Sequence, residues 1–114
     1  TFNNLSLLDT FVYKNNVFPK EESLKKIESQ IYNSYENKNN FNLKIKKLIN
    51  DRTILFDRRN IFCDKDQKSC VAVTDENYKI YWDVGHITDK ATEFFAKKIE
   101  KDKIFLEFLN VDNE

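Results

Sequence analysis

Tyr81-Trp82-Asp83-Val84-Gly85-His86-Ile87-Thr88 joins an aromatic, β-like run to the start of a helix. It contains the chain's single histidine, three positions after an aspartate. Thr88 is placed as an N-cap, where its hydroxyl accepts an amide that the first helical turn leaves unpaired. Asp89 follows in that turn, where a negative charge suits the positive end of the helix. A carboxylate and an imidazole on one tight loop make two-thirds of a serine-hydrolase triad. The carboxylate orients the ring and stabilises its cation, while the ring takes a proton from a hydroxyl nucleophile. Imidazole titrates near neutral pH, as a general base must. No recognisable nucleophile accompanies the pair. The plainer reading is a loop histidine whose neighbouring aspartate caps a turn.

Outward from this stretch, Tyr78 to Trp82 reads as a strand, Asp75-Glu76-Asn77 as a turn and Val71-Ala72-Val73 as a short strand. Cys63 and Cys70 enclose a polar segment, Asp64 to Ser69, that reads as a loop. Thr53-Ile54-Leu55-Phe56 is an apolar run between charges and fits a buried strand. Further upstream, Leu24, Ile27, Ile31 and Tyr35 recur at helical spacing, which predicts a helix from Pro19 to Tyr35. Pro19 fits its first position, and Glu21 and Glu22 its first turn. Asn37 to Asn40 breaks it, and Phe41, Ile45, Leu48 and Ile49 form a second stripe. Residues Thr1 to Phe18 show no sustained period and read as irregular. Downstream, Ala91, Phe94, Phe95 and Ile99 line the buried face of the helix that Thr88 opens. The tail from Lys103 to Leu109 is apolar enough to pack, with its type left open.

A length of 114 residues suits one unit, residues 1–114. Ten Phe and five Tyr supply a core, so the composition is not that of a disordered chain. Net charge is zero, which removes any whole-molecule attraction to nucleic acid or an anionic membrane. Lysines such as Lys25-Lys26 and Lys44, Lys46 and Lys47 fall between apolar residues and read as solvated helix faces. No apolar run approaches the ~18–20 residues that span a bilayer. Gly and Pro occur once each, sparse for a complete α/β enzyme, whose tight βα turns use glycine. The chain begins with Thr rather than Met and is expected to be a piece of something longer.

Cys63 to Ile99 resembles the C-terminal end of the SGNH (GDSL-type) domain attached to integral-membrane acyltransferases of the type-three family. The shared features are a cysteine pair around a short loop, an aromatic strand, and a Tyr-x-Asp-x-x-His signature opening the last helix. Here these are Cys63, Cys70 and Tyr81-Trp82-Asp83-Val84-Gly85-His86-Ile87-Thr88. The resemblance implies the C-terminal part of a three-layer α/β/α fold, with helices on a short parallel sheet. It implies O-acyl transfer, with acetyl the expected group, to cell-surface carbohydrate, or in second place a carbohydrate esterase. His86 is then the general base, Asp83 its orienting acid, and a serine outside this chain the nucleophile. No cofactor is implied. The expected partners are a carbohydrate or acyl-carrier substrate and an upstream membrane acyltransferase domain, at the periplasmic face of a bacterial membrane. The chain alone is expected to be catalytically silent and, through uncovered apolar surface, either to dimerise or to be marginally stable. Two features depart from the family pattern: Lys90-Ala91 stands where a Gly-Ala pair is usual, and the Gly-Asp-Ser nucleophile block is absent.

Cys63 and Cys70 admit a disulfide, a zinc site with His86, or two free thiols. The disulfide fits the extracytoplasmic setting that the resemblance implies. Tyr78, Tyr81 and Trp82 could stack on sugar or simply fill a core and its rim. The acid pairs Glu21-Glu22 and Asp64/Asp66 lie in a helix start and a loop, where a glycosidase dyad is out of place. The rival to catalysis is a non-enzymatic α/β binding or protein-interaction module in which Asp83 and His86 only shape a turn.

Overall fold

The computed structural model describes residues 5–36, 39–83 and 85–112. Ser6 opens the first helix, α1 (Leu7–Asn15), because its hydroxyl accepts the Asp9 amide at 3.1 Å and donates to the Asp9 carboxylate. Asn16 closes it in the left-handed region, with φ 54°, a conformation that asparagine tolerates. Of the stretch expected to be irregular, Leu7 to Asn15 is therefore helical, while residues 16–18 form no regular element and residues 1–4 lie outside the described residues. α2 (Glu21–Glu36) buries Ile27 and Ile31, as the apolar spacing requires, with Pro19 just before it rather than inside it. α3 (Asn39–Leu48) follows; of the expected Asn-rich break, Asn37 and Lys38 lie outside the described residues.

A single turn, α4 (Arg59–Phe62), leads into β1 (Cys63–Asp64), which pairs antiparallel with β2 (Ser69–Cys70). The segment expected to be loop throughout is thus a hairpin whose two ends are strands. Cys63 faces Cys70 in its register, and the two are joined as a disulfide. This excludes both the zinc site and the free-thiol reading of these cysteines. α5 (Asp89–Ile99) starts at Thr88, whose hydroxyl accepts the Ala91 amide at 3.1 Å. α6 (Lys103–Asp112) completes the chain, and Asp102 caps it through the Phe105 amide.

The expected three-layer fold with a parallel sheet is not what forms. The molecule is mostly helical and carries one two-stranded antiparallel sheet. The runs read as strands at residues 71–73 and 78–82 form only isolated antiparallel bridges, Val73↔Lys79 between the two runs and Tyr81↔Ile87 from the second run to the segment that follows it. Short turns cause this, since parallel neighbours need a crossover of about a dozen residues or more. The Ala72 amide is taken by a side chain and not by a neighbouring strand, since Glu28 of α2 accepts it at 3.0 Å. Thr53 to Phe56 makes no strand at all. Phe56 instead meets the Phe95 and Phe105 rings edge-on, at 6.1 and 6.2 Å.

The core gathers around this small meander. Ile80 and Ala91 are fully buried, and Cys70, Ala72, Phe62 and Tyr81 nearly so. Ile80 donates to the Ala72 carbonyl and accepts from the Thr88 amide, both at 2.9 Å. Phe62 stacks on Phe94 at 6.0 Å and leans on Phe95. Leu8, Ile27 and Ile31 close the other side. Burying each such side chain contributes about 1.5–3 kcal/mol.

Candidate functional site

Asp83 and His86 lie on the turn between the two halves of the second antiparallel pairing. Trp82 donates its amide to the His86 carbonyl at 2.9 Å, and the Tyr81↔Ile87 bridge closes the base of the turn. Val84 lies outside the described residues. Below the turn, Tyr35 of α2 donates its hydroxyl to that of Tyr81 at 2.7 Å. Burial first, and that bond second, hold the Tyr81 phenol well above its ordinary range, with Arg58 acting in the opposite direction.

Asp83 is the organising group. Its Oδ1 accepts the Gly85 and His86 amides, both at 2.8 Å. The His86 Nδ1 lies 2.9 Å from Oδ2 and 3.1 Å from Oδ1. The Gly85 and His86 amides, and then the ring, hold the Asp83 carboxyl down at about 2. The carboxylate is therefore ionised near neutral pH and can only accept, which makes Nδ1 the protonated nitrogen and leaves the lone pair of the neutral ring on Nε2. The His86 side chain is 80% exposed against 28% for Asp83. Among the described residues nothing bonds Nε2. The arrangement is an oriented imidazole with its basic nitrogen turned to solvent, able to take a proton from a hydroxyl brought to it.

The structure thus brings together the two residues expected to act together. The other candidates take structural roles. Asp64 Oδ1 accepts the Asp66 and Gln67 amides and shapes the hairpin turn, while Glu21 pairs with Lys25 on the surface. Tyr81 is buried, Tyr78 is half-exposed and Trp82 is 65% exposed beside Asp83. The Lys79 ammonium lies 5.9 Å from the Trp82 ring centroid and bonds Asp9. Sequence reasoning missed Arg58, which donates from Nη2 to the Gly85 carbonyl at 2.8 Å, and also Tyr35. Nothing in the spacing could have named either, because the contacts span 27 and 46 residues.

A cavity of about 290 Å³ lies between α1, α2 and this region. Leu8, Ile31, Ala72 and Tyr81 give it apolar walls, and Asp83 also lines it. Among the described residues no group of three or more His, Cys, Asp or Glu is placed to hold a metal ion. None of their helices is long and apolar enough to cross a membrane.

Comparison with protein families, with curated proteins and with solved structures finds no match to this chain.

Proposed function

We propose that Asp83 and His86 are the acid–base half of a serine-dependent O-acyl transfer centre that esterifies carbohydrate hydroxyls at the cell surface. One observation carries the reading: the His86 ring is fixed through Nδ1 to an ionised carboxylate, itself held by two backbone amides, while Nε2 faces solvent. Both amides go to Oδ1, and the ring supplies the partner of Oδ2. In this reading a serine outside the chain loses its proton to Nε2 as it attacks the acyl donor. The acyl group passes to the serine and the donor's leaving group departs with the proton. His86 then takes the proton of a sugar hydroxyl as that oxygen attacks the acyl-serine carbonyl, and returns it to the serine oxygen as the acyl–serine bond breaks, which leaves the sugar ester and the free serine. Two neighbouring features suit these substrates. The cavity shared with Asp83 is mostly apolar, as an acyl chain requires, and exposed Trp82 offers a flat face for a sugar ring. The acyl donor and the serine nucleophile are supplied from outside residues 1–114, and an upstream membrane acyltransferase domain is the expected partner.

The test uses the complete gene product that contains this chain. His86→Ala is expected to lower acyl transfer by about 10²–10⁴-fold, the usual contribution of a general base. Asp83→Asn is expected to lower it strongly as well, since the amide cannot hold the same tautomer. A serine-directed fluorophosphonate should label the wild type and fail to label the His86 variant. Near-normal turnover in His86→Ala overturns the proposal and leaves a non-catalytic module in which the pair shapes the turn.

A further inference from the structure

The peptide unit between Gly85 and His86 is held at both of its poles. Its N–H, which belongs to His86, donates to Asp83 Oδ1 at 2.8 Å. Its carbonyl, which belongs to Gly85, accepts from Arg58 Nη2 at 2.8 Å. Because the peptide is planar, fixing both ends fixes the plane from which the His86 Cα projects. The direction of that plane decides whether the imidazole reaches the Asp83 carboxylate. Arg58 stands at the N-terminal edge of α4, and α4 runs directly into the disulfide-closed hairpin. The guanidinium thus holds the turn from a separate, cross-linked part of the molecule. Its charge also polarises the carbonyl, which strengthens the opposite N–H as a donor to Asp83.

We infer that Arg58 is a positioning residue which, through the Gly85–His86 peptide, holds the His86 ring on Asp83 and so keeps the lone pair on Nε2. Its bearing on catalysis rests on the function proposed above; its effect on the ring does not. Neighbouring Arg59 does a different job, pairing with Asp57 and reaching the Tyr35 carbonyl at 3.4 Å.

His86 is the only histidine, so nitrogen-15 NMR of its ring needs no assignment. In the wild type the neutral ring is expected to show a protonated Nδ1 and a bare Nε2. Arg58→Gln should lower the ratio of that tautomer to its alternative about fivefold and speed exchange of the His86 amide by a similar factor, the order that loss of one solvent-exposed hydrogen bond implies. Arg58→Lys, which keeps a charged donor, should recover part of both effects. In the complete gene product Arg58→Gln should lower kcat more than it raises KM. The Ile80 and Ala91 signals report whether the fold is intact, and Arg58→Lys serves as the reading if the glutamine variant unfolds. An unchanged tautomer ratio in a folded Arg58→Gln protein overturns the inference, as does a Lys variant no better than Gln. A shifted tautomer together with full acyl transfer in His86→Ala would instead remove the proposed function and leave the positioning role standing.

Discussion

α5 and α6 are neighbours in the chain, and both carry an apolar stripe, yet only one is buried by it. α5 places Ala91 fully inside and packs Phe94 and Phe95 on Phe62. α6 leaves Ile104, Leu106, Phe108 and Leu109 about 40% exposed and reaches the rest of the molecule through Phe105 on Phe56. α3 behaves like α6, with Phe41 and Leu48 largely in solvent. The radius of gyration, 16.0 Å, exceeds the roughly 13 Å of a compact domain of this length accordingly. Amphipathic patterning therefore makes a helix but does not bury it. Burial occurs where the hairpin and the meander around Ile80 offer a rigid second layer.

The largest expected effect sharpens that contrast. Ile80→Ala empties a fully enclosed site and should cost about 2–5 kcal/mol. Leu48→Ala, at 84% exposure, should stay within about 0.5 kcal/mol. Chemical denaturation of the two variants checks this, and comparable losses would mean that α3 is covered in solution. Opening the disulfide is next. With Cys63 and Cys70 both changed to Ser, stability should fall by roughly 2.5 kcal/mol in the chain-entropy model for so small a loop. Amide exchange should quicken around Phe62 to Ala72 while α3 is unaffected. Uniform loosening of all the helices would break the division into a firm and a weakly held part.

How much of this was legible depended on the range of the interaction involved. The Thr88 cap, the stripes of α2, α3 and α5, and the Asp83–His86 pairing are local, and each follows from residues within one or two turns of one another. α1 was also local and was passed over. Ser6 followed by Asp9 is a start signal, but Leu7, Leu8, Phe11 and Val12 spread round the helix and show no single stripe. The parallel sheet failed on a point the residues already contained. A three-residue turn at Asp75-Glu76-Asn77 can join antiparallel neighbours only, and Asn77 takes the positive φ, 66°, that such a turn needs. Glu28 on the Ala72 amide, Tyr35 on Tyr81 and Arg58 on Gly85 were beyond reach, because each is a single contact made after the chain has already folded back.

The smallest expected effect on overall stability separates the site turn from the core beneath it. Asp83 titrates at about 2 in the folded protein, below the ~3.9 of an unperturbed aspartate. A depressed carboxyl stabilises the fold above its unfolded value, and that contribution disappears as pH falls through the folded value. The Gly85, His86 and ring contacts should therefore persist at pH 4 and above and be lost as pH falls towards 2. Trp82 is the only tryptophan and adjoins Asp83, so its fluorescence should follow the turn opening, while the Ile80 and Ala91 amides remain protected over the first part of that fall. Asp83→Asn should abolish the fluorescence step. The pair is solvent-facing and screened, so the change in global stability stays small, even though the ring loses its contact with the carboxylate. If the turn and the core instead let go together, Asp83 would be part of the cooperative unit, and the pair would owe its geometry to the whole fold rather than to a turn held by Arg58 and two backbone amides.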